Sequence, residues 1–263
     1  MKKTVFPLLI VLSLAGIIFS HFYYQNQVEE IANQAVNRTS PTSTASTNQE
    51  EQQQDEGTDI EIYEQGWLGN FLQLNDQQEH HVLFFGSDSL ESTGSGQGWP
   101  EIVMEETSAA IDPLAIQTDL VIVDSDTISS NVTDKWLDDI IEAEPTILIA
   151  ESLTLNDNSH AETIPPQESV EYLNEFFTDL KNELPELEII LVPSNPLVQA
   201  SFYPIQINAL NQQADSLPVH YFDHWPYWPE EPAERDLLLT NGKPNDDGQQ
   251  LWADAFLEFF IDS

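Results

Sequence analysis

The 263-residue chain carries 46 acidic residues against seven basic ones, a formal net charge of −39, and no cysteine. Charge of that sign repels nucleic acid and anionic lipid or wall polymers, so neither is an expected partner, and the missing thiols exclude disulfides, cysteine nucleophiles and thiolate metal sites. A hydrophobic content of 40% with six Trp and 13 Phe still provides the apolar surface of a sizeable core, so the charge does not mark a disordered chain.

Met1, Lys2 and Lys3 precede a nearly uninterrupted apolar run over residues 5–22. About 20 helical residues cover a hydrocarbon core of ~30 Å. Two lysines before the run and none for a long way after it set the N-terminus in the cytoplasm and the bulk of the chain outside. Residues 1–24 therefore read as a membrane anchor or a signal peptide. The bulky His21-Phe22-Tyr23-Tyr24 after Ser20 makes a poor cleavage site, and Leu14-Ala15-Gly16 lacks the cysteine of a lipoprotein signal. A retained segment gives a single-pass membrane protein with its C-terminal domain outside; a cleaved one gives a secreted protein. Residues 25–58 form a polar stalk, with no large apolar residue over 38–56, although Val28, Ile31, Ala32 and Ala35 fall at helical spacing. Beyond residue 23 there are five basic residues against all 46 acidic ones, a formal charge of −41, which reads as surface adaptation to a salty or alkaline exterior.

Residues 59–263 alternate short apolar runs with helical patterns. Strands are expected at 81–86 (HVLFFG), 119–124 (DLVIVD), 146–150 (TILIA), 187–192 (LEIILV) and 219–222 (VHYF). Runs of this length that are apolar throughout fit strands buried on both faces. Helices are expected at 99–109, 133–143, 167–184, 206–214 and 248–261; in the third, Val170, Leu173, Phe176, Phe177 and Leu180 share one face. Strands each followed by a helix call for parallel pairing with right-handed crossovers, a three-layer α/β/α sandwich around a five-stranded parallel sheet. Ligands of such sheets sit outside the carboxyl ends of the strands, here just after Phe85, Val123, Ala150, Val192 and Phe222.

The first of these positions reads Gly86-Ser87-Asp88-Ser89-Leu90, followed by Gly98-Trp99-Pro100. A serine on a tight strand-to-helix turn presents its hydroxyl where free backbone N–H groups stabilise an oxyanion. Here the chain resembles the SGNH/GDSL hydrolase family, whose first block is a Gly-Asp-Ser-Leu turn. Treating Ser87 as an insertion makes Ser89 the nucleophile; an ungapped alignment puts Asp88 there. The resemblance implies that Ser125, after the second strand, serves the oxyanion through its backbone N–H. It also implies that Asn156 in Thr154-Leu155-Asn156-Asp157, which is similar to the family's Gly-x-Asn-Asp turn, donates to the oxyanion.

The family's last block, Asp-x-x-His-Pro-Asn, supplies the histidine base and the aspartate that orients it. This chain reads Thr240-Asn241-Gly242-Lys243-Pro244-Asn245, so Lys243 stands for the histidine and Thr240, or Asn241 with one deletion, for the aspartate. A Ser-Lys dyad needs a neutral lysine, whereas Asp246, Asp247 and the overall charge favour the ammonium. His224, in Asp223-His224-Trp225, is the nearest substitute base, though an Asp-His-Trp stretch at a strand end is more often structural. His80, His81, His160 and His220 are weaker candidates. The Asn245-Asp246-Asp247-Gly248 stretch falls short of a calcium loop and reads as a helix cap.

The resemblance spans residues 79–260. It implies a flavodoxin-like α/β hydrolase, without cofactor, acting on small-molecule or glycan esters such as acylated carbohydrate or cell-envelope material. Two functional readings follow: a serine esterase using Ser89, Ser125, Asn156 and Lys243, or a catalytically inactive binding or assembly module at the cell surface.

Overall fold

Strand β1 (Glu79–Gly86) lies at the centre of the sheet's first half, paired in parallel with both β2 (Ala115–Ile122) and β3 (Ile147–Glu151). β4 (Glu188–Val192) and β5 (His220–Tyr221) continue the parallel sheet, whose order is β2-β1-β3-β4-β5. The computed structural model describes residues 66–75, 79–110, 115–161 and 164–262. The expected anchor or signal peptide and stalk, residues 1–58, lie outside the described residues, among which no helix is long and apolar enough to cross a membrane.

The apolar runs form strands because both faces of the sheet are covered. Side chains alternate along a strand. Val82, Phe84, Ile147, Ile149, Ile190 and Val192 enter one core, packed by Trp99 and Val103 of α2 (Trp99–Ala110) and by Trp252 and Phe256 of α8 (Asp246–Leu257). Their neighbours Leu83, Phe85, Leu148, Ala150, Ile189 and Leu191 enter the other. That core takes Val132 and Ile140 of α3 (Val132–Ala143), Leu173 and Phe176 of α5 (Pro166–Glu183), and Leu210 of α6 (Tyr203–Gln213). Each buried Phe or Leu contributes about 1.5–3 kcal/mol relative to exposure, and five-residue β3 is buried at every position.

The three-layer sandwich and its five-stranded sheet are as expected, with shifted ends. β2 starts four residues earlier and ends two residues earlier than its apolar run, because an edge strand follows the hydrogen-bond ladder of its neighbour; Gln117 and Thr118 pair with His81 and Val82. Pairing with β4 reduces the fifth strand to His220–Tyr221. The C-terminal helix begins at Asp246 and closes with a π turn, Glu258–Asp262.

Five elements go beyond the sequence expectation. α1 (Trp67–Leu74) sets Leu68 and Phe71 into the first core. α4 (Thr154–Ser159) and α7 (Pro232–Asp236) are single turns in loops. β6 (Leu239–Thr240) and β7 (Lys243–Pro244) form an antiparallel hairpin. Its two-residue turn, Asn241-Gly242, has φ of 55° and 82°, the signature of a type I′ turn, which favours Asn-Gly because both residues are left-handed.

Candidate functional site

The turn after β1 is set by a buried acid. Glu151, at the end of the adjacent β3, accepts from Ser87 N–H at 2.8 Å, from Ser87 Oγ at 2.8 and 3.0 Å, and from Ser89 Oγ at 3.0 Å. The two hydroxyls also contact each other at 2.9 Å. Gly86 makes this possible: a Cβ there would lie 2.6 Å from the Glu151 Cβ. Burial pushes the Glu151 carboxyl above its ordinary value, and the hydroxyls of Ser194, Ser87 and Ser89 oppose that shift.

With Ser87 and Ser89 both drawn inward, Asp88 between them lines the cleft at the strand ends. Ser89 does not: it is 0% exposed. The insertion alignment that made Ser89 the nucleophile is corrected on this point, because the hydroxyl is held by Glu151 beneath the turn. Asp88, which the ungapped alignment puts at the nucleophile position, lines the cleft instead.

The cleft has a volume of about 740 Å³ and is lined by Asp88, Ser125, Asn156 and Lys243 among others. Three of the four expected site residues thus meet around one cleft, together with Asp88. The Asn241-Gly242 turn carries Lys243 up to Asp88, and its Nζ donates to Asp88 Oδ2. Ser125 is exposed in the loop after β2. Asn156 is 5% exposed, and its Nδ2 donates to the carbonyls of Thr127 at 2.8 Å and Asp124 at 3.3 Å. Both amide hydrogens are thereby used in tying α4 to the loop after β2, which removes the donors that an oxyanion role for Asn156 requires. Thr240 pairs with Lys243 in the hairpin and Asn241 forms its turn, so neither supplies a carboxylate.

No histidine lines the cleft among the described residues. His224 is fully buried, stacked on Trp252 with ring centroids 4.1 Å apart. Trp228 Nε1–H donates to its Nδ1 at 2.8 Å. Because indole nitrogen only donates, the imidazole proton sits on Nε2, which donates to Pro193 O at 2.8 Å. Burial lowers the His224 pKa to about 3, against the raising effect of the Pro193 carbonyl. It is a neutral structural side chain. His81 and His220 contact Asp119 and Glu188 at 2.9 and 3.0 Å. At the start of α8, Asn245 caps the helix through Gly248 N–H at 3.1 Å, and Asp246 accepts from Ser92 and Gly96, so this stretch is a cap.

Glu151 and the hairpin escaped the sequence reading. A glutamate closing an apolar run signals the first; the Asn-Gly dipeptide signals the second.

No protein-family model matches the chain, and neither does any curated protein. Solved structures do. A protein assigned as a GDSL-like lipase from Parabacteroides merdae ATCC 43184 superposes with a TM-score of 0.59 at 13% identity, over 68% of this chain and 94% of that one. The fold is that of the SGNH/GDSL hydrolases. A catalytic mutant of Axe2, an acetylxylan esterase from Geobacillus stearothermophilus, matches with a TM-score of 0.54 at 14% identity over 68% and 93% of the two chains. The psychrotrophic esterase EstA from Pseudoalteromonas sp. matches with 0.51 at 17% identity over 68% and 95%. Likeness at identities this low shows a shared fold alone; chemistry has to be argued from the cleft itself.

Proposed function

We propose that the protein is a hydrolytically silent SGNH-fold module that binds hydroxyl-rich, carbohydrate-type ligands outside the cell, tethered to the membrane through residues 1–24. The observation that carries this reading is the Asp88–Lys243 ion pair. Asp88 stands at the position of the family's serine and Lys243 at that of its histidine. An ammonium donating to a carboxylate has no lone pair to take a proton from a nucleophile.

The serine-esterase reading requires Ser89 to reach an ester carbonyl. Its hydroxyl is fully buried and engaged with Glu151, and His224 is committed on both ring nitrogens. The cleft supports binding instead. Its volume of about 740 Å³ falls in the ~300–1,000 Å³ range of small-molecule sites. Its lining mixes amides, hydroxyls and carboxylates with Leu155, Leu197 and Leu239, as polyhydroxyl ligands require. Acetylxylan esterase activity in a structural neighbour adds carbohydrate as a ligand class by analogy.

The test is treatment of the full-length protein with a serine-reactive fluorophosphonate, beside an acetyl-ester assay and calorimetric titration with neutral oligosaccharides. Binding without labelling or turnover is the expected result. Labelling that disappears in Ser89→Ala would overturn the proposal in favour of an esterase.

A further inference from the structure

A cleft that stabilises an oxyanion presents hydrogen-bond donors; here the residue expected to donate presents an acceptor. Asn156 uses both amide hydrogens on the carbonyls of Thr127 and Asp124. The flipped amide would set its oxygen against two carbonyl oxygens, so these neighbours fix its orientation. Its Oδ1 accepts no hydrogen bond from the described residues, and the residue lines the cleft. Asp236, the last residue of α7, adds an exposed carboxylate to the same lining, with no ion pair or hydrogen bond to a described residue.

No Lys or Arg among the described residues pairs with that carboxylate. Arg235, its neighbour in sequence, donates to the carbonyls of Pro229 at 2.7 and 3.0 Å, Glu230 at 3.3 Å and Leu197 at 3.4 Å. Its guanidinium fastens α7 to the backbone beside the cleft. Lys243 is paired with Asp88, Lys135 with Asp126 and Lys181 with Glu188. Every Lys and Arg among the described residues is therefore committed. In the cleft, Asp88 and Lys243 cancel and Asp236 remains.

Resting on the reading of this cleft as a non-hydrolytic binding site, we infer that it selects a hydroxyl-rich ligand bearing a primary amine, such as an amino sugar, and rejects carboxylate- or phosphate-bearing ones. An ammonium has three donors and no acceptor, which suits the Asp236 carboxylate and the Asn156 oxygen on the same lining. The protein's negative field concentrates cations at such a cleft. An anionic ligand meets the same field with no uncommitted cation to bind it.

The experiment is calorimetric titration of the full-length protein with chitotriose, its fully N-acetylated form and cellotriose, three ligands of equal ring number. Chitotriose should bind about tenfold more tightly than the other two, the value of one good charge-assisted contact. Asp236→Asn should remove most of the advantage of chitotriose over cellotriose. Asp134→Asn, an exposed acid on α3 outside the cleft, should alter neither. Equal affinity for all three ligands would overturn amine selection while leaving the binding cleft standing. An equal loss in Asp134→Asn and Asp236→Asn would overturn it too, by reducing the effect to diffuse attraction. Ester hydrolysis without oligosaccharide binding would remove the underlying reading along with it.

Discussion

Lys243, 155 residues beyond Asp88 in the chain, donates its ammonium to the Asp88 carboxylate across the mouth of the strand-end cleft. The two side chains are 38% and 44% exposed, so solvent screens the pair and its contribution to stability is about 1 kcal/mol or less. Asp88→Asn or Lys243→Met should move the urea midpoint only slightly. A loss above about 2 kcal/mol would show that the pair holds the hairpin to the turn rather than filling the cleft.

The same pair defines a route to gained reactivity. Asp88→Ser with Lys243→His and Thr240→Asp installs a serine, a histidine and an aspartate on the positions to which the resemblance assigns them. Fluorophosphonate labelling should appear in this triple variant and be absent from the parent and from Lys243→His alone. Because Asn156 has no free donor, ester turnover should stay weak even where labelling succeeds. An efficient esterase from this variant would contradict the account of Asn156.

Glu151 governs the turn that exposes Asp88. Glu151→Ala leaves the Ser87 N–H and two hydroxyls buried without their acceptor, at a cost of about 2–4 kcal/mol, measurable by denaturant melts. Burial raises the Glu151 pKa above its ordinary value of 4.5. Between the ordinary and the folded values the folded state holds the extra proton, so this group's contribution is complete below pH 4.5 and is lost as pH rises through the folded value. Glu151→Gln, which mimics the protonated acid, should flatten stability against pH in that window. An unchanged slope would mean that the carboxylate is accommodated ionised.

His224 has the opposite sign. Its pKa falls from an ordinary 6.5 to about 3, so between these values the unfolded state binds the proton. Its contribution is complete above pH 6.5 and is lost progressively as pH falls toward 3, with an upper bound of about 5 kcal/mol. Thermal melts of the parent and of His224→Asn from pH 7 to 4 should converge as acid removes the parent's advantage. Parallel curves would show that His224 does not titrate with unfolding.

Gly242 has a φ of 82°, and an added Cβ would meet only Leu197 at 3.4 Å. Gly242→Ala therefore tests backbone strain alone, with an expected loss of about 1–2 kcal/mol. The hairpin carries Lys243 to Asp88, so the variant should also weaken ligand binding. Stability loss with unchanged binding would separate the hairpin from the cleft.

Much of the sheet was legible because burial on both faces forces continuous apolar runs. Four of the five strands of the sheet lie within two residues of their predicted bounds at both ends. The edge strand β2 deviates more, because its length depends on its partner's ladder rather than on its own hydropathy. Ser125, Asn156 and Lys243 were located by their positions after strands or before the last helix, and they do line one cleft. Ser89 was not, since the alternation Ser87-Asp88-Ser89 leaves open which residue turns inward.

By itself the amino-acid sequence determined the layered α/β architecture, the end of the sheet that holds the cleft and the absence of a histidine beside Pro244. These are properties of local pattern and residue type. Only the tertiary structure decided that Asp88 faces the cleft and Ser89 the core, because the choice is made by Glu151, 62 residues beyond Ser89. It also decided that Lys243 is paired, that His224 is neutral and buried, and that Asn156 spends its amide donors on backbone carbonyls. Each of these depends on a hydrogen-bond partner brought close by folding, and the charge or polarity of a site is set by such partners rather than by the residues' names.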